Sequence, residues 1–199
     1  MALKFQYNKT ALQELNKQLK IRIRALPTLK NKESALRMEV KRARDHAHAL
    51  DLQIQEQYQK LERILRLYGE FDQSIISVKD VQIVTRKIAG VKIPVLEKVE
   101  YELKDFNLFN APTWYPDGIH ILKQIGSLQI ERVFFIRKMR ILDAVRKKTT
   151  QKVNLYEKVQ IPAFEEGILK IKRFMEDEDN LSKASQKILK NRMQSESTA

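Results

Sequence analysis

The feature that most constrains this chain is an apolar stripe between Leu12 and Tyr68. Its members follow alternating steps of three and four: Leu12, Leu15, Leu19, Arg22, Leu26, Leu29, Glu33, Leu36, Val40, Ala43, Ala47, Leu50, Ile54, Gln57, Leu61, Ile64 and Tyr68. Only Arg22, Glu33 and Gln57 interrupt it. A mean step of about 3.5 residues holds one stripe against a partner helix, which is the coiled-coil pattern. At ~1.5 Å per residue such a helix is expected to run roughly 85 Å. A helix of that length needs a partner, and the expected shape is a rod.

A second stripe of the same spacing supplies the partner within the chain. It reads Ile121, Ile125, Leu128, Arg132, Phe135, Met139, Leu142, Arg146, Thr149, Val153 and Tyr156. It continues less regularly through Val159, Ile168, Ile171, Phe174, Leu181 and Ile188. A middle segment reverses the chain between the stripes, so an antiparallel pair crossing at ~20° is predicted. Asn8 and Thr10 are both good cap types for the first helix. Pro27 would cost about 3 kcal/mol in a regular helix. Leu26 and Leu29 nevertheless keep their stripe positions, so Pro27 is read as a kink within one helix. Pro162 is expected to bend the second helix. Residues Gln194 to Ala199 read as a frayed polar tail.

Between the stripes the period changes. Tyr68-Gly69 reads as a helix stop, with Gly69 in the left-handed conformation. Val78, Val81, Ile83 and Val84 are β-branched, and Val99, Tyr101 and Leu103 alternate with Glu100, Glu102 and Lys104. That alternation predicts a half-buried strand. Gly90 permits a turn, and Pro94 keeps Ile93 out of the helical region. A short β-hairpin follows. Asn110 to Gly118 reads as a loop holding the only Trp, with Thr113 or Asp117 capping the next helix.

The expected fold class is all-α dominated. It is a long antiparallel two-helix coiled coil of N- and C-terminal helices, with a short β-hairpin in a mixed middle segment. The expected divisions are residues 1–70, 71–118 and 119–199, together forming one structural unit.

Charge follows the same divisions. Of the net +13, residues 1–70 carry +7, residues 71–118 carry −1 and residues 119–199 carry +7. Basic arms suit nucleic acid, anionic lipid or an acidic protein surface, and charge does not choose among them. The chain has no cysteine, which removes thiolate chemistry and disulfides. No apolar run reaches the ~18 residues of a membrane span, so no direct membrane insertion is expected.

No constellation for catalysis is present. The P-loop spacing is missing, and Ala89-Gly90-Val91-Lys92 does not supply it. His46 and His48 lie two apart on a helix, on different faces, which is wrong for joint metal ligation. The Glu165-Glu166 and Glu176–Asp179 runs read as solvated helix faces. No cofactor and no enzymatic activity of the isolated chain are expected. The clusters Lys41-Arg42-Ala43-Arg44 and Arg146-Lys147-Lys148 lack interleaved aromatics for base stacking. A basic coiled-coil nucleic-acid-binding or scaffold protein is the alternative reading.

Three segments resemble one known family, in the family's order. Gln151-Lys152-Val153-Asn154-Leu155-Tyr156-Glu157 with Pro162 resembles the late "RVNALE…IP" signature of the D subunit of V/A-type rotary ATPases. Ala89-Gly90-Val91-Lys92-Ile93-Pro94 resembles that family's central "AGV-x-[VI]-P" segment. Leu26-Pro27-Thr28-Leu29-Lys30-Asn31-Lys32 resembles its early "LLK-x-K" element, in a bacterial "LPTLK" form.

The resemblance implies a central stalk analogous to the F-type gamma subunit. It would be non-catalytic itself, and would couple ATP hydrolysis or synthesis in the head to proton or sodium transport in the membrane ring. The implied partners are catalytic and regulatory head subunits, a small F subunit of the stalk and a membrane-ring adaptor. The chain would work in a heteromeric complex, be a monomer when isolated, and bind no nucleic acid. It would lie in the cytoplasm, peripheral to the inner membrane. The residues carried over as partner-contact candidates are Leu29, Lys30, Lys32, Ala89, Gly90, Val91, Pro94, Val153, Asn154, Glu157 and Pro162.

Overall fold

A computed structural model describes residues 5–105 and 111–197. Helix α1 runs Lys9–Leu65 without a break, with Pro27 inside it. Two 3-10 turns, Leu67–Glu70 and Gln73–Ile75, lead into strands β1, Ile76–Ile88, and β2, Val91–Leu103. Helix α2 runs Tyr115–Asn154, a π-turn occupies Leu155–Gln160, and helix α3 runs Ile161–Ser197. The chain divides into two compact units. One draws on Met1–Asn31 and Thr149–Ala199, the other is Lys32–Lys148.

In the Lys32–Lys148 unit, α1 and α2 pack antiparallel. Glu39 pairs with Lys138, Asp51 with Arg132, and Tyr58 accepts from Gln129, so partners on α2 descend as α1 ascends. Leu36, Val40, Val91, Ile93 and Leu142 form the core where the hairpin meets both helices. Leu36, Ile93 and Leu142 are fully buried, each contributing roughly 1.5–3 kcal/mol. At the other end of this unit Tyr68, Phe71, Trp114 and Tyr115 stack edge-to-face or tilted around Ile75 and Ile119. The single Trp is thus a packing residue. The Tyr68 hydroxyl donates to the Gly118 carbonyl at 3.0 Å, and burial raises its pKa.

In the other unit, Leu15 packs with Phe164, Ile168 and Ile171, with Phe5, Leu12, Leu19 and Met175 around them. Asn8 caps α1: its side-chain oxygen accepts from the Ala11 amide at 2.7 Å. Every first-stripe position with a described side chain is buried or half-buried, while off-stripe Ile21, Ile23, Met38 and Leu52 are exposed. The side chain of Ile64 lies outside the described residues.

The second stripe holds from Ile121 to Tyr156 and then shifts. Ile168 and Ile171 stay buried, but Val159 and Phe174 are exposed, and Gln160, Phe164 and Met175 turn inward instead. Gln160 keeps a step of four from Tyr156, and the one-residue offset from Phe164 onward is caused by the π-turn. Its i→i+5 bonds take about one residue more per turn than an α-helix, which rotates everything after it. Leu181 and Ile188 are exposed for another reason: every described side chain from Glu176 to Gln194 faces solvent. Pro162 explains why the π-turn sits where it does. It lacks an amide and its ring crowds the carbonyl four residues back. The Ile161 amide bonds the Tyr156 carbonyl, five residues back. Pro162 therefore falls in the first turn of α3.

Three end signals differ from expectation. Among the described glycines only Gly90 has positive φ, so Gly69 is no left-handed cap. Helix α1 instead tightens into a 3-10 turn closed by Phe71 donating to the Tyr68 carbonyl. Helix α2 starts at Tyr115, which puts Asp117 inside its first turn and Thr113 two residues before it. There Asp117 is favoured by the helix dipole and does not cap. Helix α3 continues through Ser197, past the expected fraying point at Gln194. Asn110, Thr198 and Ala199 lie outside the described residues.

The hairpin is longer than its β-branched cluster suggests. The strands are thirteen residues each and form twelve antiparallel pairs, from Ile76↔Leu103 to Ile88↔Val91. The register shifts between Val78 and Asp80, and between Gln82 and Ile83. Val99 and Tyr101 are half-buried, but so is Glu100 between them, and Leu103 is 42% exposed, so the predicted alternation is only partly realised.

Candidate partner-binding sites

The motif residues gather at two places, one in each unit. In the first, Lys30 on α1 meets Glu157 in the π-turn, Nζ to Oε1 at 2.6 Å. The early and late motif segments thus touch. Both side chains are more than 40% exposed, so the pair contributes only about 0–1 kcal/mol. Its charges remain open to a partner. Leu29 is half-buried, Val153 is buried, Asn154 is the exposed last residue of α2, and Pro162 is exposed.

About two turns along α1 from this pair lies a contact that the sequence does not reveal. Arg22 donates from Nε to the Gln160 side chain at 2.7 Å and from a terminal nitrogen to the Gln18 carbonyl at 3.0 Å. The same guanidinium lies 4.5 Å from the Phe164 ring centre and 5.8 Å from that of Tyr156. Arg22 is visible in the sequence as a charged break in the stripe. Its partners are hidden because Gln160 is a polar residue that an apolar stripe passes over, and only the π-turn brings Phe164 inward.

The second place is the hairpin tip. Ala89 and Gly90 have φ of 49° and 78°, the two left-handed residues of a tight turn. Val91 is buried in the core, and Pro94 sits opposite Thr85 in the ladder. Lys32 reaches the turn: its Nζ lies 3.7 Å from where a Cβ on Gly90 would stand. Arg86, Lys87 and Lys92 are exposed around it, and no carboxylate occurs between Gln82 and Leu96. The tip is a basic knob.

Further along α2, Asp143 accepts from Arg146 at 2.9 Å and pairs with Lys147. The hydrogen bond from Arg146, with Lys147 behind it, lowers the Asp143 pKa. His46 stacks on Phe135 at 5.1 Å, and His120 shares a hydrogen bond with Gln124. Among the described residues no three His, Cys, Asp or Glu side chains are grouped to hold a metal. No described helix is long and apolar enough to cross a membrane.

The chain matches the family model of the ATP synthase D subunit over residues 11–191. The chain belongs to the ATP synthase D-subunit family. Among its relatives, the V-type ATP synthase D subunit of Borreliella burgdorferi is 32% identical over 190 residues, covering 94% of each chain. The V-type ATP synthase D subunit of Chlamydia muridarum is 26% identical over 174 residues, covering 85% of this chain and 86% of its own. Membership in the D-subunit family fits the mostly helical fold, the paired stripes and the central hairpin described above.

In this D-subunit chain the last part of α3 has no cover from the other described residues. Leu181, Ile188, Leu189 and Met193 are 55–71% exposed on an otherwise charged helix.

Proposed function

We propose that this chain is the central rotor stalk of a V-type ATPase or ATP synthase. It transmits torque between nucleotide chemistry in the head and proton or sodium transport in the membrane ring, and it catalyses nothing itself. The observation that carries the reading is the fate of the long stripe. Within each unit, α1 buries its stripe against C-terminal helices of the same chain, so no second copy is needed to satisfy it. Self-paired helices with a charged outer surface can turn inside a ring without sticking to it.

Different parts of the chain offer different surfaces to different partners. The uncovered part of α3 suits the inside of the ring of catalytic and regulatory subunits. The hairpin region suits the small F subunit of the stalk and the membrane-ring adaptor. The exposed Lys30–Glu157 pair, with Asn154 and Pro162 beside it, is a further partner-contact candidate. The complex is heteromeric and lies on the cytoplasmic side of the inner membrane.

The test is reconstitution. The complex with this chain should couple ATP hydrolysis to ion uptake into vesicles, and the complex lacking it should lose that coupling. Full ion transport without the chain would overturn the reading.

A further inference from the structure

We propose that the edge of β1 between Ile83 and Lys87, which no other described strand covers, is a strand-addition site for an extended, acidic segment of a protein partner. The proposal rests on the stalk reading only in taking that partner from the same complex.

The turn sets the hydrogen-bonding pattern of the whole tip. Ala89 and Gly90, both at positive φ, form a two-residue hairpin loop closed by Ile88 and Val91. In such a hairpin the closing residues are a hydrogen-bonded pair, and pairs alternate from there. Lys87↔Lys92, Thr85↔Pro94 and Ile83↔Leu96 are then the non-hydrogen-bonded pairs. Their amides and carbonyls point away from the hairpin, to its two outer edges.

The two edges are not equivalent. On β2 the outward position 94 is proline, which has no donor, so that edge is interrupted at its centre. On β1 the outward residues are Ile83, Thr85 and Lys87, each with both a donor and an acceptor. Gln82 through Lys87 are all exposed. The nearest irregularity in pairing lies before Ile83, so the stretch to Ile88 is regular. An open, regular edge of this length is a template for another strand.

Side chains define the occupant. Ile83 is 51% exposed and Val84 39%, one on each face, so apolar side chains of an added strand find cover on both. Toward the tip stand Arg86, Lys87 and Lys92, with Lys32 beside Gly90 and no carboxylate from Gln82 to Leu96. The complementary strand is apolar opposite Ile83 and carries Asp or Glu opposite Lys87.

The experiment is amide hydrogen exchange on the purified ATPase complex and on the free full-length chain. In the complex, the amides of Ile83, Thr85 and Lys87 should exchange at least about tenfold more slowly. Thr85→Pro, which copies the block on β2, should remove that protection, and Thr85→Val should keep it. Carbodiimide coupling should join Lys87 to a carboxylate of another subunit, and Lys87→Glu should abolish both the coupling and the protection. The last variant decides the matter if Thr85→Pro fails to fold. Equal exchange in complex and free chain, with the chain co-purifying, overturns strand addition and leaves the stalk reading intact. Coupling to a second copy of this chain overturns the assigned occupant. Failure to co-purify with ATPase subunits overturns the stalk reading itself.

Discussion

Arg22 on α1 and Gln160 at the end of the π-turn are joined by a 2.7 Å side-chain hydrogen bond spanning 138 residues of sequence. The bond holds a charge at a seam position that the stripe pattern reserves for an apolar side chain. It works because the guanidinium is also faced by Phe164. Arg22→Ala removes a charge-assisted hydrogen bond and a cation–π contact together. The expected loss is about 1–3 kcal/mol in urea unfolding. Arg22→Lys keeps the charge but not the planar fork, and should recover only part of it.

The π-turn makes a prediction that α-helical continuation does not. Met175 faces inward and Phe174, which the three-four spacing would bury, is 47% exposed. The chain has no cysteine, so single thiols report cleanly. Phe174→Cys should react with a maleimide faster than Met175→Cys. The reverse order would mean that the helix runs through Pro162 in unbroken α register.

The hairpin turn carries one left-handed residue that is not glycine, Ala89 at φ 49°. That conformation costs a residue with a Cβ roughly 1–2 kcal/mol. Ala89→Gly relieves it but loosens the unfolded chain, for a net gain of up to about 1 kcal/mol. Gly90→Ala should instead cost about 1–2 kcal/mol, because φ there is 78°. Thermal unfolding of the two variants should move in opposite directions.

Asp143 gives a pH dependence. Arg146, then Lys147, hold its carboxyl below the ordinary value. A depressed folded pKa stabilises the protein above the unfolded value of ~3.9 and loses that contribution as pH falls through the lower folded value. The group is partly exposed, so the contribution is below about 1 kcal/mol. Asp143→Asn should therefore be less stable than the parent at pH 6, with the gap closing in strong acid. A gap that persists unchanged at low pH would show that the carboxylate charge is not the cause.

Much of this fold is legible from periodicity. The first stripe is inward at every described position, and Asn8 caps where its side-chain type suggests. Pro27 leaves α1 unbroken, as the regular spacing from Leu26 to Leu29 implies. The departures have physical sources. Alpha-helical arithmetic places Phe174 inward, and a single π-turn ahead of Pro162 rotates it out; Val159 is off the spacing, since a step of four from Tyr156 lands on the polar Gln160. Leu181 and Ile188 keep a seam spacing on a stretch of α3 with nothing described to pack against. Residue type alone marks Gly69 as a cap, but the chain exits α1 through a 3-10 turn that needs no left-handed residue. Lys30 and Glu157 stand out by motif alone, and nothing in their spacing foretells that they meet. The basic tip at Arg86, Lys87 and Lys92 is scattered in sequence and is concentrated only by the Ile88↔Val91 turn.

A rotor stalk has to turn, and rotation is directly observable. A probe attached to a single cysteine at an exposed position of the hairpin, in a complex fixed by its head, reports it on adding ATP. Stepwise rotation in one direction, stopping when ATP is removed, is the expected result. A probe that stays still while the same complexes hydrolyse ATP would contradict the stalk function.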